Sequence, residues 1–210
     1  MYQPKPHQQT DTAQLHALMQ AQPLAALVST QGGALTADHI PLMFAPEAGA
    51  HGALRGHVAR ANPLWREADG ADVLAIFQGA QAYVSPSWYP SKAETQKVVP
   101  TWDYVVVHAQ GRLRAIDDAA WLRDFVSRLT THHEAASTVP WALSDAPEDY
   151  IAQMLRAIVG IEIELTSLVG KWKVSQNRSA ADREGVATSL AQRDESARAM
   201  AALVALVRRG

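Results

Sequence analysis

The chain has no cysteine. Disulfides, thiolate nucleophiles and cysteine-bound metal sites are therefore excluded together, while the compartment is left undecided. Charge is sparse and nearly balanced: charged residues are 19% of 210, with a net charge of −2. No global basic field favours nucleic acid. A charged content below the usual ~25% is compatible with a second subunit covering part of the surface. No stretch approaches the ~20 apolar residues of a membrane span. The opening MYQPKPHQQTD lacks the apolar run of a signal peptide, so a soluble, cytoplasmic protein without membrane contact is expected. Missing as well are G-x-G-x-x-G after a strand, the phosphate loop G-x-x-x-x-G-K-[ST] and the G-x-S-x-G elbow. Any nucleotide cofactor must be held by something other than those turns.

Aromatics are also scarce, at 7%, but they are concentrated. The stretch Ala82–Tyr104 holds Tyr83, Trp88, Tyr89, Trp102 and Tyr104, with Lys92 and Lys97 between them and prolines at 86, 90 and 100. Rings that stack, hydroxyls that satisfy polar edges and ammonium groups that meet negative charge suit a planar, polar, anionic ligand. The competing reading is a proline-rich loop whose rings cap the core.

Asp11 and Gln14 have capping-box spacing ahead of Leu15, Leu18 and Met19, which predicts a helix ending before Pro23. Leu24–Ser29 and Ala34–Phe44 flank Gln31-Gly32-Gly33 as a hairpin, with Pro41 marking an edge or bulge. Ala53–Ala59 reads as a third strand. Asn62 and Pro63 then fit the start of a helix over Leu64–Ala68. Free N–H groups at such a start, with Arg60 beside them, suit a phosphate. The plainer reading is a surface arginine beside an ordinary cap.

Asp72–Phe77 reads as a buried strand, and Val105–Ile116 as a longer one with a bulge at Gly111. Asp117 or Asp118 caps a helix carrying Trp121, Leu122, Phe125, Val126 and Leu129 at helical intervals. Asp145 opens another, with Tyr150, Ile151, Met154, Leu155 and Ile158 on one face and Gly160 as its stop. Ile161–Leu168 alternates as a strand with one wet face. If that strand continues, Lys171, Lys173 and Ser175 share a side as a second anion contact. Two helices, 180–192 and 194–209, close the chain. His132-His133-Glu134 lacks the spacing of a metal site, because neighbouring helical residues diverge, and no metal is expected. Strands joined by hairpin-length connections favour an antiparallel barrel with helices over a doubly wound sheet.

Four motifs, in order along nearly the whole chain, resemble those of the PaiB family of FMN-binding negative transcriptional regulators, within the FMN-binding split β-barrel superfamily. They are Met1-Tyr2-Gln3-Pro4; Gly56-His57-Val58-Ala59-Arg60-Ala61-Asn62-Pro63; Ser85-Pro86-Ser87-Trp88-Tyr89 with Lys92 and Val99-Pro100-Thr101-Trp102; and Gly170-Lys171-Trp172-Lys173-Val174-Ser175-Gln176-Asn177-Arg178. The resemblance implies a mainly β fold with α additions: an antiparallel six-stranded split barrel over residues 1–178, with a helical extension over 179–210 packed on it. It implies a homodimer with FMN in the groove between subunits. Arg60 and Asn62 would lie at the phosphate end. His57, Trp88, Tyr89, Lys92 and Thr101 would line the groove, and Lys173, Ser175 and Gln176 would close it. Asp103 departs from the family's usual Asn and is expected to point away from the ligand or bond a backbone donor. His7 replaces an aromatic.

Three functions follow. The first is a flavin-binding transcriptional regulator, although direct DNA contact wants a basic reading helix that net charge −2 and the Arg208-Arg209 pair do not supply. The second is a flavin-dependent oxidoreductase of the pyridoxamine-phosphate oxidase or flavin reductase type, for which no catalytic residue can be named. The third is a small-molecule or haem-binding module using His39, His57 and His108.

Overall fold

A computed structural model describes residues 1–207; Arg208 and Arg209 lie outside the described residues. The elements in chain order are β1 (Gln8–Gln9), α1 (Thr12–Ala21), β2 (Leu24–Gln31), β3 (Ala34–Pro41), β4 (Met43–Ala45), β5 (Ala53–Ala59) and α2 (Leu64–Glu67). Then come β6 (Asp72–Val84), α3 (Ser91–Thr95), β7 (Thr101–Ile116), α4 (Ala119–Glu134), α5 (Glu148–Arg156), β8 (Ile158–Lys173), α6 (Ala180–Leu190) and α7 (Glu195–Ala205). Short 3-10 turns sit at Lys5–His7, Pro86–Trp88 and Leu143–Asp145. The strands follow the order β3-β2-β6-β7-β8-β5-β4, with β1 added to β8. This mostly antiparallel, unclosed sheet with helices is a split β-barrel. It has eight strands rather than six, because the Ala34–Phe44 arm breaks at Leu42 into β3 and β4, and β1 pairs Gln8 with Lys171.

The chain divides into two compact units. One contains Met1–Leu18, Gln78–Val107 and Val169 onward; the other contains Met19–Phe77 and His108–Leu168.

In the second unit the Gly32-Gly33 turn joins β2 to β3, both glycines having positive φ (56° and 83°) that side chains disfavour. The α4 helix starts where Asp118 accepts a bond from the Trp121 N–H at 2.7 Å. It buries Leu122 and Phe125, leaving the remaining apolar positions partly covered. Gly160 lies inside β8, not at a helix end, and a side chain there would meet the Trp121 ring at 2.4 Å. Gly111 likewise permits close approach: a Cβ would sit 2.3 Å from the Glu164 carbonyl oxygen. Asp145 binds the Ala142 N–H and does not cap α5.

In the first unit, α6 and α7 bury Val186, Leu190, Met200 and Val204 against Ala82, Val84, Tyr89, Val105 and Val174. Asp194 and Ser179 cap these helices through the N–H groups of Ala197 and Asp182. Gly185 lets α6 come close, since a Cβ there would lie 2.1 Å from the Trp88 carbonyl oxygen. Among the described residues no helix is long and apolar enough to cross a membrane.

Candidate cofactor site

The aromatic stretch is not one loop. The β6 strand runs on through Gly79 to Val84, and β7 begins at Thr101, four residues before the apolar run that signals it in the sequence. Between them lie the Pro86–Trp88 turn, started by Ser85 accepting from the Ser87 N–H at 3.2 Å, and α3. The early start of β7 decides where its side chains go. Alternation along the strand sends Asp103, Val105, Val107 and Ala109 inward and Trp102 outward. Trp102 and Tyr83 are 55% and 47% exposed, and their rings meet edge to face with centroids 6.1 Å apart. They form one wall of a cleft of about 320 Å³, with Leu190, Arg193, Ser196 and Ala197 among its other lining residues. Arg193 also spreads its guanidinium over the Trp88 ring at 4.7 Å.

Tyr89 lies behind this surface, buried in the unit's core. Arg178 stacks over its ring at 4.6 Å and pulls on its hydroxyl, but among the described residues no bond of full hydrogen-bond geometry reaches that hydroxyl. Burial pushes that hydroxyl's pKa up, against the pull of Arg178. A buried phenol wants a full partner, and Arg178 meets it only in part. Lys92, half-buried, reaches the Ser87 hydroxyl at 3.5 Å and has no ion pair among the described residues.

The end of β8 is fully engaged. Lys173 Nζ donates to Thr101 Oγ1 at 2.6 Å, to the Trp102 carbonyl and to Asp103 Oδ1 at 3.5 Å. The Ser175 hydroxyl donates to Asp103 Oδ2 at 2.6 Å, and Ser175 itself sits at φ +57°. Gln176 accepts from the Val174 N–H and donates to the Trp172 and Pro6 carbonyls. The strand stops at Lys173, so Ser175 does not extend its face. Lys171 turns instead to the Tyr2 carbonyl and the Tyr2 and Tyr104 rings. Asp103 bonds Ser175 through the hydroxyl and also through the backbone, and burial raises its pKa in spite of these bonds and of Lys173. A second buried carboxylate, Asp182, accepts from the Ser91 N–H at 3.1 Å and the Ser91 hydroxyl at 2.9 Å. Burial alone would raise its pKa, but these bonds hold it below the usual range.

Three expected contacts lie in the second unit. Arg60 is committed: its guanidinium forks onto Asp117 at 2.8 and 2.6 Å and also donates to the Arg156 and Ile158 carbonyls. The hydrogen bond from Arg60 holds the Asp117 carboxyl below the ordinary range. Asn62 accepts from the Leu64 N–H at 2.8 Å and donates to Asp38, but it stands one residue ahead of the helix N-cap, which is Pro63 and not Asn62 as expected. His57 is half-buried, edge-on to Phe125 at 6.1 Å, and burial lowers its pKa. Among the described residues no group of three His, Asp or Glu is placed to hold a metal.

Within the first unit the structure therefore brings Thr101, Lys173 and Ser175 together with Asp103, and Tyr89 under Arg178, while Trp88 meets Arg193 and Gln176 bonds the Val174, Trp172 and Pro6 backbone. Their chemistry fits a planar, polar, anionic ligand: aromatic faces, a hydroxyl met only in part, and Arg178, which has no ion pair within 4 Å among the described residues. Sequence reasoning passed over Arg178, although it ends the last motif, and missed Arg193 and Asp182. Nothing local links those two to the residues they meet about 90 to 100 positions earlier.

Fold and site together describe a split-barrel protein of a cofactor-binding kind. The sequence model of a family described as "Putative FMN-binding domain" matches residues 1–167. Protease synthase and sporulation protein PAI 2 of Bacillus subtilis is 30% identical over 97% of this chain and 96% of its own. An uncharacterized protein of Aspergillus fumigatus is 32% identical over 89% of each chain. The chain belongs to this FMN-binding-domain family, that of PaiB. Among solved structures, an FAD and heme binding protein of Mycobacterium smegmatis superposes with a TM-score of 0.58 at 17% identity, over 80% of this chain and 73% of its own. The flavocytochrome Anf3 of Azotobacter vinelandii gives 0.56 at 12%, over 79% and 68%. At these identities the likeness is one of fold.

Proposed function

We propose that the chain is a cytoplasmic FMN-binding protein of PaiB type, acting as a homodimer with the flavin at the subunit interface, and that its role is regulatory. The observation that carries the cofactor reading is the buried Tyr89 hydroxyl, which no bond of full geometry completes, beside a stacked Arg178 free of any ion pair within 4 Å among the described residues. It lies in the unit that also exposes Tyr83 and Trp102. In this reading Trp88 and Trp102 offer ring surfaces, Tyr89 and Thr101 offer hydroxyls, and Lys92 and Arg178 offer positive charge. Bound FMN would supply reversible electron transfer, which the protein needs only to orient. Family membership supports FMN over other planar anions. A regulatory role is supported by the likeness to PAI 2, whose name ties that protein to protease synthesis and sporulation. Net charge −2 favours a role that does not depend on wide DNA contact.

The test is a titration with FMN followed by flavin fluorescence, with Tyr89→Phe alongside. Binding in the micromolar range is expected, and removing one hydrogen bond should weaken it roughly fivefold. No binding up to about 100 μM would sink the cofactor reading. Bleaching of the bound flavin by NAD(P)H with oxygen-dependent recovery would replace regulation by oxidoreductase chemistry.

A further inference from the structure

The β8 end presents a contradiction. Lys173 and Ser175 have the chemistry of ligand contacts, yet among the described residues the carboxylate bonded to both is a buried one, Asp103, at 1% exposure. The three ammonium protons of Lys173 have three acceptors: Thr101 Oγ1, the Trp102 carbonyl and Asp103 Oδ1. The single hydroxyl proton of Ser175 goes to Asp103 Oδ2. Asp103 is in turn held by β7 alternation, which leaves its side chain no path to solvent.

We propose that Asp103 is a positioning and specificity residue that neutralises Lys173, fixes the left-handed turn at Ser175, and thereby lowers the preference of the site for an anionic over a neutral form of the same ligand. This rests on the flavin reading above and adds to it the ligand's charge. The charged group acting on Asp103 is Lys173 on β8; Arg178, over the Tyr89 ring, and Asp182 on α6 act together with Asp103 on that tyrosine. With Asp103 ionised, Lys173 contributes little net field, and the cations left for a phosphate are Lys92 and Arg178. An asparagine would keep the acceptor for Ser175 and the side-chain volume while removing one negative charge. At separations on the order of 10 Å in a partly buried site, that charge shifts the affinity for an anion roughly tenfold.

The experiment compares FMN with riboflavin, which lacks the phosphate, on the full chain. Asp103→Asn should tighten FMN roughly tenfold and leave riboflavin within about twofold. In the double variant with Lys173→Met the gain should vanish, because the uncovered cation is gone. A merely structural role would move both ligands together, and equal changes would overturn the proposal, as would a gain that survives Lys173→Met. Should the asparagine variant not fold, Asp103→Ser carries the same comparison. If the wild-type protein binds neither flavin, the cofactor reading fails first; if it binds both but the ratio does not move, the cofactor reading stands and only the role of Asp103 falls.

Discussion

Replacing Gly185 by alanine sets two effects of known size against each other. The residue lies inside α6, where alanine is favoured over glycine by about 1 kcal/mol because the unfolded chain gives up less freedom. On helix propensity alone Gly185→Ala stabilises. The structure reverses the sign. The new Cβ would lie 2.1 Å from the Trp88 carbonyl oxygen, and 3.3 Å from both the Trp88 carbonyl carbon and Pro90 Cδ. The obstacle is backbone, held by the Pro86–Trp88 turn, so it cannot swing aside as a side-chain tip would. Relief needs α6 to withdraw by about 1 Å, and overpacking of this kind costs about 1–3 kcal/mol. Withdrawal also stretches the two bonds from Ser91 to the Asp182 carboxylate, each worth about 1.5–3 kcal/mol when intact. Net destabilisation of about 2 kcal/mol remains after the propensity gain. With a urea dependence of about 2 kcal/mol per molar, the midpoint should fall by about 1 M, followed by tryptophan fluorescence. A midpoint that is unchanged or raised would refute the packing of α6 on the Trp88 turn.

The other predictions concern individual contacts. Phe125→Ala empties a site with 1% exposure and should cost about 3–5 kcal/mol in denaturant unfolding, while the His57 pKa, read by NMR, moves back up toward its ordinary value. Arg60→Ala should lower the melting temperature more than Asp117→Ala, because Arg60 also ties the Arg156 and Ile158 carbonyls whereas Asp117 contributes only the exposed ion pair. Equal losses would mean that the carbonyl bonds contribute nothing. Asp103 keeps its proton to higher pH in the folded state than in the unfolded chain, so the folded protein binds more protons above the unfolded carboxyl's pKa. Wild-type stability should therefore decline relative to Asp103→Asn as pH rises from about 4, and the difference should level off once the folded carboxyl has ionised. A difference independent of pH would place Asp103 in a solvated setting.

Periodicity and turn chemistry carried much of the fold. Ala53–Ala59 and the Asp118-capped helix were readable because alternation, a cap and an apolar stripe all agree there. The start of β7 was not, because Pro100 and the mixed Thr101–Tyr104 segment look like loop until alternation is anchored on Asp103. The same shortfall hid the most consequential contact of the candidate site. Local sequence shows Lys173 and Ser175 as free anion contacts, and only strand pairing brings Asp103 onto them. Arg60 is a parallel case: its acidic partner, Asp117, lies 57 residues away. Spacing marks which residues can meet a ligand, and long-range pairing decides which of them are already taken. Gly160 shows the same lesson in packing, for a glycine after a helical pattern reads as a stop, while here it makes room for the Trp121 ring.

The most direct test of the flavin assignment is the absorbance spectrum of the natively purified protein before and after adding FMN, with the released cofactor identified by mass. Flavin absorbance bands are expected (on the order of one flavin per chain), retained through gel filtration after loading and released as FMN on denaturation. A colourless protein that passes gel filtration free of added FMN would contradict it.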